Sequence, residues 1–126
     1  SQIFKVLVVE DNRINQLVTK KIMEKNLYKC CVVDDGYEAL KILETEIFDI
    51  ILMDINMPLL NGFETTRLIR NKNITTPIIA LTAFDKEEIS EEAISAGMND
   101  IIIKPFDQSK LFKAMSTLIY DAKNVG

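Results

Sequence analysis

Histidine is absent from this 126-residue sequence, which removes imidazole general bases, His-dependent catalytic triads and His-ligated zinc together. Any histidine chemistry has to come from a partner. Cysteine is nearly absent too: Cys30 and Cys31 are neighbours, so on a strand their side chains leave by opposite faces, and neither a disulfide framework nor a CxxC metal site is available. That usage fits a reducing, cytoplasmic setting. Long hydrophobic runs are missing: Ile50 to Met53 is far shorter than the roughly 20 residues of a membrane helix, and acids follow the N-terminal apolar stretch at once. Neither a membrane span nor a signal peptide is expected. Four glycines and three prolines leave no linker or low-complexity tract. Positive charge is in deficit, with 15 Lys+Arg against 19 Asp+Glu and a net charge of −4. This is the wrong sign for gripping nucleic acid or an anionic bilayer.

What is present has a regular beat. The length and the 48 % apolar, 27 % charged composition suit one globular domain over residues 1–126, able to bury roughly two thirds of its unfolded surface. Short apolar runs recur at 3–9, 30–33, 49–53, 77–81 and 100–103. Four of the five are nearly continuous in Ile, Leu and Val, the pattern of interior parallel strands covered on both faces. Between them lie apolar residues at helical spacing: Ile14, Leu17, Val18 and Ile22; Ala39, Leu40 and Leu43; Ile89, Ala93 and Ala96; Leu111, Met115, Leu118 and Ile119. Each stripe is expected to cover one side of a sheet. A weaker stripe marks a helix from about Gly62 to Arg70, entered through the turn chemistry of Pro58 to Gly62. Asp85, three residues before Glu88, and Asp107 are placed to open the last two helices, and Gly97 to end the one between them. The alternation reads as a right-handed, doubly wound α/β sandwich, in which function gathers beyond the carboxyl ends of the strands.

The residues just past the runs are Glu10 and Asp11, Asp54, Thr82 and Lys104. Three carboxylates on one rim repel: a pair of unit charges 4 Å apart costs about 1 kcal/mol in water and about 4 at an effective dielectric of 20. Hard oxygen ligands without His or usable Cys point to Mg²⁺ or a similar divalent ion, with Lys104 as a fixed cation beside it. Each residue also has an ordinary reading. Asp11 or Asn12 can cap the next helix, Thr82 can cap a turn, and Lys104 can be an exposed lysine. Asp54 is harder to dismiss, because it follows four apolar residues that anchor its backbone.

The segments LVVEDN, ILMDINMPLLNG, IIALTA and IIIKPF, in this order, resemble the receiver domain of two-component response regulators, over essentially the whole chain. DNRINQ and GYEAL look most like the receivers of hybrid sensor histidine kinases. The resemblance implies a flavodoxin-like, five-stranded parallel sheet of order 2-1-3-4-5. It also implies Asp54 as phosphoacceptor, Mg²⁺ on Glu10, Asp11, Asp54 and the Asn56 backbone carbonyl, phosphoryl contacts from Thr82 and Lys104, and a cis Lys104–Pro105 bond. The donor is then a phosphohistidine of a histidine kinase or histidine phosphotransfer domain. Asn56 and Phe84, each two residues beyond a site residue, would tune the lifetime of the acyl phosphate. The output face would be the fourth helix, fifth strand and fifth helix, which also offer a surface for a homodimer. Ile101 departs from the family, whose members usually carry an aromatic switch residue there. Three rivals are a haloacid-dehalogenase-type phosphatase, a flavodoxin-like cofactor binder and a phosphorylation-independent interaction module. The first needs a DxD motif after the first strand, and the second a phosphate loop where EDNRIN stands.

Overall fold

The computed structural model describes residues 2–124; Ser1, Val125 and Gly126 lie outside the described residues of the single unit expected over 1–126. Five strands, β1 (Lys5–Val9), β2 (Lys29–Val33), β3 (Ile50–Asp54), β4 (Ile78–Thr82) and β5 (Asp100–Ile103), alternate with α1 (Arg13–Lys25), α2 (Gly36–Ile42), α3 (Gly62–Asn71), α4 (Lys86–Ala96) and α5 (Gln108–Lys123). The strands form one parallel sheet of order β2-β1-β3-β4-β5. The doubly wound α/β architecture and the strand order are thus those expected.

Period-two alternation divides each strand between two cores. Leu7, Val9, Ile51, Met53, Ile78 and Ala80 pack under α2, α3 and α4, whereas Val6, Val8, Ile50, Leu52, Ile79 and Leu81 pack under α1 and α5. Fully burying each such Val, Leu or Ile contributes about 1.5–3 kcal/mol, so the three central strands are the rigid base of the molecule. Cys30 and Cys31 do divide between the two sides. The apolar runs alone read as interior strands, whereas β2 and β5 lie at the edges of the sheet, as the implied order 2-1-3-4-5 has them. Helices still cover edge strands on both faces here, and only one hydrogen-bonding side is open, so composition alone does not separate edge from centre.

Caps follow the expected chemistry: the Asp85 and Asp107 side chains accept amides at the starts of α4 and α5, and Gly97 ends α4 with φ of 106°. At α1 the cap is Asn12, which accepts the Asn15 amide. The weak stripe of α3 has a cause, because its inward face carries Thr65 and Thr66 among Phe63 and Ile69. A reciprocal pair, Asn61 with Glu64, fixes the start of that helix.

One stripe departs from expectation in three of its four members, Ile22 alone packing against the core. Ile14, Leu17 and Val18 are 70 %, 57 % and 51 % exposed, and α1 buries Gln16, Thr19 and Met23 instead. Both sets are spaced three and four apart, so periodicity could not choose between them. The inward face is polar at Gln16 and Thr19, next to the strand-end rim, and apolar at Met23, which joins the core.

Candidate functional site

Parallel register assembles the rim. Val9 stands opposite both Val33 and Met53, so Glu10 emerges level with Asp54, and Thr82 pairs with Ile103, the residue before Lys104. Asp54 and Thr82 are themselves the last residues of β3 and β4, each one position inside the strand rather than just beyond it. Behind Asp54, the start of α3 comes very close: the Gly62 amide donates to the Ile55 carbonyl at 2.9 Å. A Cβ at Gly62 would lie 2.6 Å from the Asp54 carbonyl oxygen, so only glycine fits.

Of the acids, Glu10 and Asp54 are buried and Asp11 is exposed. One carboxylate oxygen from each lies within 4.8 Å of the others. Lys104 Nζ donates to Glu10 Oε1 at 3.0 Å and stands 3.8 Å from Asp54 Oδ1. Its backbone amide donates to the Thr82 carbonyl at 2.6 Å, and the Lys104–Pro105 bond is cis. Thr82 is buried, and its Oγ1 accepts the Phe84 amide at 3.0 Å. The Asn56 amide donates to Asp54 Oδ1 at 3.2 Å. All five strand-end residues therefore meet in one place, with Asn56 in the adjoining connection. Ile101 is buried in the core under α2, α3 and α4, so it fills space there as a packing residue.

The electrostatics divide the two buried acids. Burial, reinforced by Glu10 and only partly relieved by Lys104, pushes the Asp54 carboxyl up to about 7. Glu10 also suffers desolvation, but the Asn12 amide and the Lys104 ammonium hold it below the ordinary glutamate value. Glu10 is thus the fixed anion, and Asp54 is the acid that gains most from a further cation. Three hard oxygen donors, one of them exposed to solvent, suit a divalent ion such as Mg²⁺. The thiols offer no competing site: burial raises both, Cys30 to about 12.

Sequence reasoning missed one buried neighbour of this rim. Gln16, on the inward face of α1, donates from Nε2 to the Glu10 carbonyl and to Asp34 Oδ1, both at 2.6 Å. A polar residue at helical spacing with Thr19 and Met23 was the available signal.

A doubly wound sheet with an acid cluster, a lysine and a threonine at its strand ends defines a class of phosphoacceptor module, and the chain belongs to the response regulator receiver domain family, whose model matches residues 6–116. It is 42 % identical over 108 residues to the autoinducer 2 sensor kinase/phosphatase LuxQ of Vibrio vulnificus, a match covering 85 % of this chain and 13 % of that protein. The receiver domain of Francisella response regulator 1452 superposes with a TM-score of 0.88 at 34 % identity, covering 94 % of this chain and 98 % of that one. The receiver domain of sensor histidine kinase PA1611 from Pseudomonas aeruginosa, solved with a magnesium ion in its active-site cleft, gives 0.85 at 37 % identity, covering 94 % and 98 %.

Proposed function

We propose that this domain is a phosphorylation-activated switch that accepts a phosphoryl group on Asp54 from the phosphohistidine of a histidine kinase or histidine phosphotransfer domain. The observation that carries the reading is the meeting of Glu10, Asp11 and Asp54 oxygens within 4.8 Å beside the Lys104 ammonium. Phosphoryl transfer asks chiefly for in-line positioning and for neutralisation of charge on the transferred oxygens. Mg²⁺ bound by Glu10, Asp11, Asp54 and the Asn56 carbonyl would supply Lewis-acid neutralisation. Asp54 attacks phosphorus through a carboxylate oxygen, the histidine nitrogen leaves, and an acyl phosphate remains. Lys104 and Thr82 hold the phosphoryl oxygens; the Thr82 hydroxyl keeps its proton to donate while accepting from Phe84.

The outward apolar face of α1 supports a helical partner. Ile14, Leu17 and Val18 are exposed on α1, and Val18 also lines a groove of about 450 Å³ with Ile22, Pro105 and Phe106 together with Glu10 and Lys104. Exposed apolar surface of this kind marks an interaction site, and this one touches the acid cluster. Output is assigned to α4, β5 and α5, where the outer edge of β5 is unpaired and a homodimer can form. No helix among the described residues is long and apolar enough to cross a membrane; a cytoplasmic setting, as the receiver of a hybrid kinase, is part of this reading.

The decisive experiment incubates wild type and Asp54→Asn with acetyl phosphate and Mg²⁺ and weighs the intact proteins. Wild type gains the mass of one phosphoryl group and the variant does not. Equal labelling of both, or of neither under any donor, would overturn the assignment.

A further inference from the structure

Every atom of Glu10 that can hold the acid turn in place is engaged. Its amide donates to the Val33 carbonyl at 3.1 Å, Oε1 accepts from Lys104 and Oε2 from the Asn12 amide at 3.1 Å. The remaining group is the carbonyl, whose direction fixes the peptide plane from which Asp11 departs. That carbonyl accepts from Gln16 Nε2 at 2.6 Å.

The same nitrogen donates to Asp34 Oδ1 at 2.6 Å, so both protons of the amide are used. Asp34 begins the connection into α2: its own amide donates to Glu38 Oε1, and Asp35 caps the helix. Gln16 is 6 % exposed and its backbone amide donates to the Asn12 carbonyl, so it is anchored independently of its side chain. Asparagine is one methylene short of this span, and an apolar residue of equal length has no donor.

We propose that Gln16 is a positioning residue for divalent-cation binding: its amide holds the peptide between Glu10 and Asp11 and ties it, through Asp34, to the start of α2. The inference rests on Glu10 and Asp11 being cation ligands and adds a determinant of their affinity. Partners that orient metal ligands from outside the coordination sphere set affinity as well as geometry, because without them the cation must order the ligands itself. By reciprocity, cation binding orders the β2–α2 connection.

The test titrates the full chain with magnesium chloride by calorimetry. Gln16→Met is expected to raise the Mg²⁺ dissociation constant about tenfold, with the rate of labelling by acetyl phosphate at saturating Mg²⁺ kept within about twofold. Amide hydrogen exchange at residues 34–38 slows on adding Mg²⁺ in wild type and not in the variant. Asp34→Asn and Asp34→Ala both remove the charge, but only asparagine keeps the acceptor, so asparagine binds Mg²⁺ more tightly than alanine. That difference vanishes in the Gln16→Met background. These exposed-residue variants keep the test alive should Gln16→Met fold poorly. Wild type that binds no Mg²⁺ would take down the cation site and this inference with it. Wild-type binding that Gln16→Met leaves unchanged, or equal binding by the two Asp34 variants, would overturn the inference alone.

Discussion

Lys104 Nζ donates to Glu10 Oε1 at 3.0 Å across 94 positions of sequence. The carboxylate side chain is 4 % exposed and the lysine 25 %, so the pair is largely withdrawn from water and removing one partner strands a buried charge. Lys104→Met is expected to lower metal-free stability by about 2 kcal/mol, read from urea unfolding in EDTA. Added Mg²⁺ should recover more stability in the variant than in wild type, since the acids have lost their internal cation. A variant as stable as wild type in EDTA would contradict this.

Stability without metal should depend on pH in a stated direction. Asp54 titrates at about 7 in the folded protein against an ordinary 3.8. Between those values the native state keeps a proton that the unfolded chain has released, so its contribution is full at low pH and is lost as pH rises through 7. Glu10 is shifted the other way, and its contribution is lost only as pH falls below its ordinary 4.5. In EDTA the melting temperature is therefore expected to fall between pH 5 and pH 8, and Asp54→Asn to flatten the slope. Mg²⁺ at 100 times its dissociation constant adds about 2.7 kcal/mol, more effectively at pH 8, where no proton competes. A flat metal-free profile would argue against the burial of this acid.

Phe84 is expected to govern how long the phosphoryl group lasts. Phe84 is 44 % exposed and its amide is held on Thr82 Oγ1, which ties its backbone to a strand-end residue of the site. Phe84→Ala is expected to speed dephosphorylation several-fold, measured as loss of the mass adduct after acetyl phosphate is removed. An unchanged half-life would end that role.

If the proposed partner docks on α1, docking and chemistry are separable there. Leu17→Asp removes apolar area worth about 1.5 kcal/mol from an exposed position, so phosphotransfer from a phosphohistidine domain should slow about tenfold while labelling by acetyl phosphate is unchanged. Equal slowing with both donors would place the effect at the site instead of the surface.

Much of this was legible in the residues. Continuous Ile, Leu and Val runs marked the strands, and the polar residue at each run's end marked the rim, because a parallel sheet brings those ends to one edge. The resemblance then supplied the order of the strands and the roles proposed for Asp54, Thr82 and Lys104. Periodicity failed at α1, where Gln16 and Thr19 are buried and Ile14, Leu17 and Val18 are not. Hydropathy assumes that the inward face is the apolar one, and a helix packed against a polar site while its apolar residues stay exposed breaks that rule. The Gln16 bridge was illegible for another reason: it joins α1 to Asp34 across 18 positions, and no local pattern encodes such a distance.

The pairing of Glu10 with Lys104 also has a consequence in time. During synthesis the acids at the ends of β1 and β3 leave the ribosome well before β5 does, and until residue 104 follows they lack the ammonium that pairs with Glu10 and Asp54. The residue that follows the last strand is the one that answers the Glu10 charge, so a chain stalled before it carries every acid of the cluster without that ammonium.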